Sequence, residues 1–224
     1  MVKTPQPDAA RYAVLKEEAE RQRKDLNLRY NAARTAAEKE KVLKETRNYL
    51  EKQLPEMMLC WLGTPWDFNG TAEDPGKGKI ACGYFVATVL RDVGFRVNRS
   101  KLAQQASQNI MGSFIPRSAM EVKVGVPYAD YAAALNKAEA GVRIVGLDSH
   151  VAFLVTGPEG FRFIHSSGGK PWCVVNQGEQ EADALRWSSY RVQGLLTGDK
   201  EVLKRWLAGK KIEVKLDAPA TAGR

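Results

Sequence analysis

Residues 8–60 contain no glycine and a single proline, at position 55. A stretch that long, rich in Ala, Glu, Lys, Arg and Leu, points to helix. Tyr12, Leu15, Ala19 and Leu26 recur at three-to-four spacing, as do Leu50, Leu54, Met57, Met58 and Trp61. Each set is an apolar stripe that a helix turns toward a core. Residues 29–48, between the stripes, are more polar. The pattern predicts one helix or a helical hairpin that packs on the domain by its ends, as a solvated arm covering the core. Pro55 is expected to kink or restart it.

Gly63-Thr64-Pro65 then marks a turn, and residues 66–79 read as a loop of Gly, Pro, Asp and Lys. Its Gly70 and Gly76-Lys77-Gly78-Lys79 do not make a phosphate loop. Five residues separate Gly70 from Gly76, and Gly follows Lys77, whereas that loop needs four and then Ser or Thr. A helix is predicted over 82–93, with Phe85, Val86, Val89, Leu90 and Val93 on its apolar face and Gly94 as its stop. Two further helices are read over 100–111 and 128–138. After Gly141 the pattern changes to strands, at 142–147, 150–156 and 161–166, with Val174-Val175 and Tyr190–Leu195 as further candidates. A last helix fits 199–208, between Asp199 and Gly209. Helices first and an antiparallel sheet later predict an α+β fold. The expected layout is a helical extension over 1–56, one domain over 57–215 and a disordered tail over 216–224.

The net charge of +8 is diffuse: it divides as +3, +2 and +3 over residues 1–56, 57–196 and 197–224. Nucleic-acid binders concentrate basic residues in a block or stripe, so no nucleic-acid partner is expected; a spread positive surface suits an anionic wall or membrane surface. No run reaches the roughly 18 apolar residues of a membrane span. Cys60, Cys82 and Cys173 are an odd set without metal-type spacing. No disulfide framework is expected, and a single Cys60–Cys173 pair is left open. Met1-Val2-Lys3-Thr4-Pro5 has no apolar signal core, which leaves a chain kept inside the cell or one whose signal was removed.

The chain has only two histidines, His150 and His165, fifteen positions apart. Imidazole is the side chain most often used for proton transfer near neutral pH. Gly157-Pro158-Glu159-Gly160 lies between their two strands and reads as a hairpin tip. With Pro158-Glu159 as a two-residue tip, Gly157 pairs with Gly160 and His150 faces Ser167. His165 is then a diagonal neighbour on the same face. Cys82, where a loop becomes an apolar helix, is the candidate nucleophile. The helix N-terminus is expected to lower its pKa, with Lys77 and Lys79 adding positive field. A cysteine nucleophile needs a base, and the base needs an orienting partner. His150, at a strand start beside Asp148 and Ser149, suits the base. His165, flanked by Phe163 and Ile164, suits the buried partner. The alternative reading of each is structural: a buried free cysteine and a satisfied core histidine. A zinc site of Cys82, His150, His165 and water is chemically allowed, with no sign of it in the spacing.

The order of these segments resembles the NlpC-type cell-wall peptidases. Their pattern is a Gly-Thr/Val-Pro-Tyr turn and a Gly-rich stretch, then Asp-Cys-Ser-Gly-Phe/Leu-Val at a helix start. His-Val-Gly-Ile-Tyr follows on a strand and Ile-His-Ala on the next. This chain has Gly63-Thr64-Pro65-Trp66, Asn69-Gly70, Ala81-Cys82-Gly83-Tyr84-Phe85-Val86, His150-Val151-Ala152-Phe153-Leu154 and Ile164-His165-Ser166. The resemblance spans roughly residues 57–170. It implies a papain-like fold, with Cys82 as nucleophile, His150 as base and His165 as the polar third residue. It also departs at the family's substrate-reading positions: Ala81 stands for Asp, Gly83 for Ser and Trp66 for Tyr.

By that resemblance the chain is a cysteine peptidase or amidase, without cofactor, acting on peptidoglycan-type peptides. It would work outside the cytoplasm, in the periplasm or secreted. Two alternatives stay open: a thiol acyltransferase on the same scaffold, and a non-catalytic module that binds cell wall. Trp66 and Trp172, in loops flanking the proposed site, are candidate cleft walls for substrate.

Overall fold

A computed structural model describes residues 5–216; the tail expected over 216–224 lies, beyond Leu216, outside the described residues. The glycine-free stretch is a hairpin of α1 (Ala9–Ala32) and α2 (Ala36–Leu59). Asp8 caps α1 by accepting from the Arg11 N–H, and Thr35 and Glu38 form a reciprocal capping box on α2. The free N–H groups at both helix starts are thus met locally. α2 does not restart at Pro55. The proline takes the helical partner from the Glu51 carbonyl, but Leu54, Met57 and Met58 are buried around it and hold the turn in the core.

The hairpin packs on the core by its two ends, as expected, and residues 27–41 around its turn include no buried residue. Its buried residues run from Tyr12 to Leu26 and from Val42 to Met58. Several are polar but satisfied: Thr46 Oγ1 donates to the Val42 carbonyl (2.8 Å) and Gln53 Nε2 to the Leu15 carbonyl (2.9 Å). Polar residues that find partners can be buried.

The elements that follow are α3 (Cys82–Asp92), β1 (Arg96–Val97), α4 (Arg99–Ala103), α5 (Ser107–Phe114), β2 (Met120–Val124) and α6 (Tyr128–Asn136). Then come β3 (Gly141–Leu147), β4 (Val151–Gly157), β5 (Gly160–Ser166), β6 (Val174–Gln177), α7 (Asp183–Trp187), β7 (Tyr190–Leu195), α8 (Lys200–Leu207) and β8 (Lys211–Ile212). The single helix predicted over 100–111 is two, α4 and α5, because they serve different partners. α4 packs on α3, while α5 packs on β3 and β7.

Six strands form one antiparallel sheet in the order β2-β7-β3-β4-β5-β6; β1 and β8 pair separately, in parallel. Alternate residues of the central strands feed two cores. Val142, Ile144, Val151, Phe153 and Ile164 join α1, α2, α3, α5 and α8. Val145, Leu147, Ala152, Leu154, Phe161 and Phe163 meet Tyr131, Leu135 and Leu185 of α6 and α7. The result is a mixed α+β fold with an antiparallel sheet covered on both faces.

One contact positions the start of α3. A Cβ built on Gly83 would stand 2.3 Å from the Ala103 carbonyl oxygen, so α4 approaches as closely as a glycine permits. In an open helix Gly→Ala gains about 1 kcal/mol. Here we expect Gly83→Ala to lower stability by about 1–3 kcal/mol, the range for overpacking. Urea unfolding checks this, and an unchanged or raised midpoint would contradict the contact.

Candidate active site

The hairpin has the predicted register. Gly157 pairs with Gly160 across the Pro158-Glu159 tip, and Phe153 pairs with Ile164. His150 stands one residue before β4, in a turn closed by the Leu147 N–H donating to the His150 carbonyl (2.8 Å). The Asp148 carboxylate ties that turn to β7, accepting from Ser188 Oγ (2.6 Å) and the Ser189 N–H (2.9 Å). His165 is in β5, only 1% exposed, while His150 is half-buried. Their rings meet edge-on with centroids 4.8 Å apart.

The hydrogen bonds between them have a direction. His165 Nε2 lies 2.9 Å from Gln177 Oε1, and His150 Nε2 lies 2.8 Å from His165 Nδ1. An amide oxygen only accepts, so His165 Nε2 carries a proton. A neutral imidazole has one N–H, so His165 Nδ1 accepts, and the proton between the rings sits on His150 Nε2. His150 Nδ1 is left with its lone pair. Gln177 ends β6 and pairs with Phe163, two residues from His165. Sequence reasoning missed it: a strand at Val174-Val175 was legible, but its pairing register with β5 was not.

Cys82 is the first residue of α3, with Ala81 at the cap position and no side-chain cap. Backbone N–H groups of Val151, Gly83 and Cys82 itself face the sulfur. Val151 is the neighbour of His150, so the thiol lies against the turn that carries the imidazole. Cys82, His150, His165 and Gln177 all line one cavity of about 1080 Å³.

Electrostatics corrects the expectation of a low-pKa thiolate. Burial pushes the Cys82 thiol up, outweighing the three N–H groups that pull it down. Lys79 Nζ pairs with Asp67 at 3.1 Å and Lys77 Nζ with Asp74 at 3.8 Å, so both ammonium groups are spent in the loop. Burial also lowers His150 to about 3, helped by its neighbour His165. His165 is lowered by burial to about 4, against the opposing pull of Gln177. At neutral pH the site therefore holds a thiol and two neutral imidazoles.

Trp66 lines the cavity. Trp172 does not: it is 51% exposed and packs behind Trp66, ring centroids 5.4 Å apart. The two loops are zipped by the Trp66 N–H donating to the Trp172 carbonyl (2.8 Å) and by a Pro65–Cys173 bridge. Cys173 and Cys60 are buried, and all three cysteines are free thiols. Among the described residues no group of three or more His, Cys, Asp or Glu could hold a metal ion. The two histidines spend facing nitrogens on each other, which removes them from a shared zinc site. No helix among the described residues is long and apolar enough to cross a membrane. Comparison with protein-family models, with curated proteins and with solved structures found no match.

The low imidazole values carry a stability consequence. An unfolded histidine titrates near about 6.5, so between that pH and about 4 the unfolded chain binds more protons than the folded one. The histidine contribution is complete above about pH 6.5 and is lost as pH falls toward the folded values. Urea midpoints measured from pH 7 to pH 4 are expected to fall more steeply in the native chain than in His165→Gln, which has one titrating ring fewer. Parallel curves would contradict neutral buried imidazoles.

Proposed function

We propose that the chain is a cysteine peptidase or amidase with a papain-like domain of NlpC type, hydrolysing an amide bond in peptidoglycan-type peptides. One observation carries the reading. The chain Gln177–His165–His150 leaves an unprotonated Nδ1 on the imidazole whose neighbour, Val151, contacts the Cys82 sulfur. A thiol, a base and an ordered support for the base are the parts that thiol acyl chemistry requires. The motif order supports the family; the hydrogen-bond chain supports the chemistry.

The reaction starts from the neutral pair. Cys82 Sγ attacks the substrate carbonyl carbon while its proton passes to His150 Nδ1, so neither buried charge exists before attack. The C–S bond forms, and the carbonyl electrons move to oxygen. The Cys82 N–H, which has no helical partner at the first turn and faces the sulfur at rest, turns to donate to that oxyanion as the C–S bond forms. The imidazolium is stabilised through Nε2–H on His165 Nδ1, and His165 in turn through Nε2–H on Gln177. As the tetrahedral species collapses, the C–N bond breaks and His150 gives its proton to the leaving amine. Water then attacks the thioester, losing a proton to His150 Nδ1. The C–S bond breaks, and the proton returns to the sulfur.

The departures beside the nucleophile bear on substrate choice. Ala81 offers no side-chain polar group, and Gly83 has none because the Ala103 carbonyl occupies its space. The substrate is therefore read by other walls of the cavity.

Digestion of muropeptides followed by mass spectrometry tests the proposal. The native chain is expected to release amide-cleaved fragments and Cys82→Ala none. His150→Ala should lower kcat/KM by about 10²–10⁴, the usual worth of a positioned base. Full cleavage by Cys82→Ala would overturn the mechanism.

A further inference from the structure

The walls of the cavity at Cys82 come from segments far apart in the chain, and three of these segments meet at one side chain outside it. Arg99 begins α4 and is only 7% exposed. Its Nε donates to Thr88 Oγ1 of α3 (2.6 Å). Nη1 donates to Glu73 Oε1 (2.6 Å), and Nη2 donates to the Thr71 and Ala72 carbonyls (3.0 and 2.7 Å). The guanidinium carbon also lies 4.8 Å from the centre of the Tyr84 ring, a cation–π contact. α4 itself runs into the wall, where Ala103 and Gln104 line the cavity with Tyr84.

The loop over residues 66–79 needs such a partner. Within it only Gly70 and Pro75 are buried, so it has little apolar surface to hold it on the core. Its base is tied by backbone bonds, from the Ile80 N–H to the Pro65 carbonyl and from the Ala81 N–H to the Gly70 carbonyl (both 2.9 Å). Above that base, Arg99 holds residues 71–73, and Arg91 of α3 reaches Glu73 as well (2.8 Å). Trp66, Phe68, Asn69 and Thr71 of this loop line the cavity. A guanidinium suits the position because its rigid fork meets all of these acceptors at once, which the compact ammonium of a lysine does not. None of its hydrogen bonds reaches Cys82, His150 or His165.

We infer that Arg99 is a positioning residue for substrate binding: it clamps the loop over residues 66–79 against α3 and α4, so that this wall of the cavity stands in its binding form before substrate arrives. The effect on turnover rests on the hydrolase reading above. Because the clamp holds a wall and not the reacting groups, its loss raises KM and spares kcat.

Arg99→Gln and Glu73→Gln test the clamp. The second is the milder change, at a side chain that is 60% exposed, and it carries the test if the first does not fold. Without substrate, hydrogen exchange is followed at the Ala72 and Ala81 N–H groups, which donate to the Lys79 and Gly70 carbonyls. Local opening is expected to quicken both, by about tenfold in Arg99→Gln and by less in Glu73→Gln, while amides of β3 and β4 keep their rates. With muropeptide substrate, KM should rise about tenfold in Arg99→Gln, as for a wall in its binding form about a tenth of the time, with kcat within about twofold. Glu73→Gln should show the same split on a smaller scale. Loop exchange that is unchanged, or that quickens equally in loop and sheet, would overturn the clamp. A fall in kcat at constant KM would overturn the positioning role and make Arg99 a support of the Cys82 helix instead. A native chain that cleaves nothing would overturn the hydrolase reading, and the exchange rates would still decide the clamp.

Discussion

The two-residue tip at Pro158-Glu159 decides where both imidazoles point. Because it is even in length, Gly157 meets Gly160, and every pair behind it follows, so that His150 and His165 share a face. One residue more in the tip would turn one ring to the other side of the sheet. The 2.8 Å contact between the rings depends on that register, and the contact with Gln177 depends in turn on the register of β6 against β5. The direction of the whole hydrogen-bond chain is thus set by strand pairing, with one amide oxygen at its far end.

Burial sets the state of the groups on that chain and of the thiol beside it. Burial raises the thiol and lowers both imidazoles, so the three groups are uncharged near neutral pH. A helix N-terminus alone did not make Cys82 a thiolate. The N–H groups near the sulfur act, but desolvation acts more strongly, and the lysines that precede Cys82 in the chain are paired elsewhere. Proximity in sequence was a poor guide to electrostatic field.

Legibility followed the length of each pattern. The helical hairpin, α3, the three central strands and α8 carry long runs and stood out. The hairpin register could be read because Gly-Pro-Glu-Gly is a compact signal, and it placed both histidines. β2 was overlooked although Met120-Glu121-Val122-Lys123-Val124 alternates with period two. α7 is five residues long, and β1 and β8 are two each, too short to show a period. Gln177 was invisible because its role rests on pairing across the loop 167–173, where length and backbone path are not written in local composition. Gly83 looked like a lost substrate contact; the structure adds a packing reason, the Ala103 carbonyl.

The central claim is the direction of the hydrogen-bond chain, and nitrogen-15 NMR of the two imidazoles near neutral pH addresses it without any substrate. With only two histidines in the chain, their ring nitrogens are assigned by a single His165→Gln variant. The account predicts two neutral rings, each protonated at Nε2, with His150 Nδ1 bare. A proton on His150 Nδ1, or an imidazolium at either position, would contradict it.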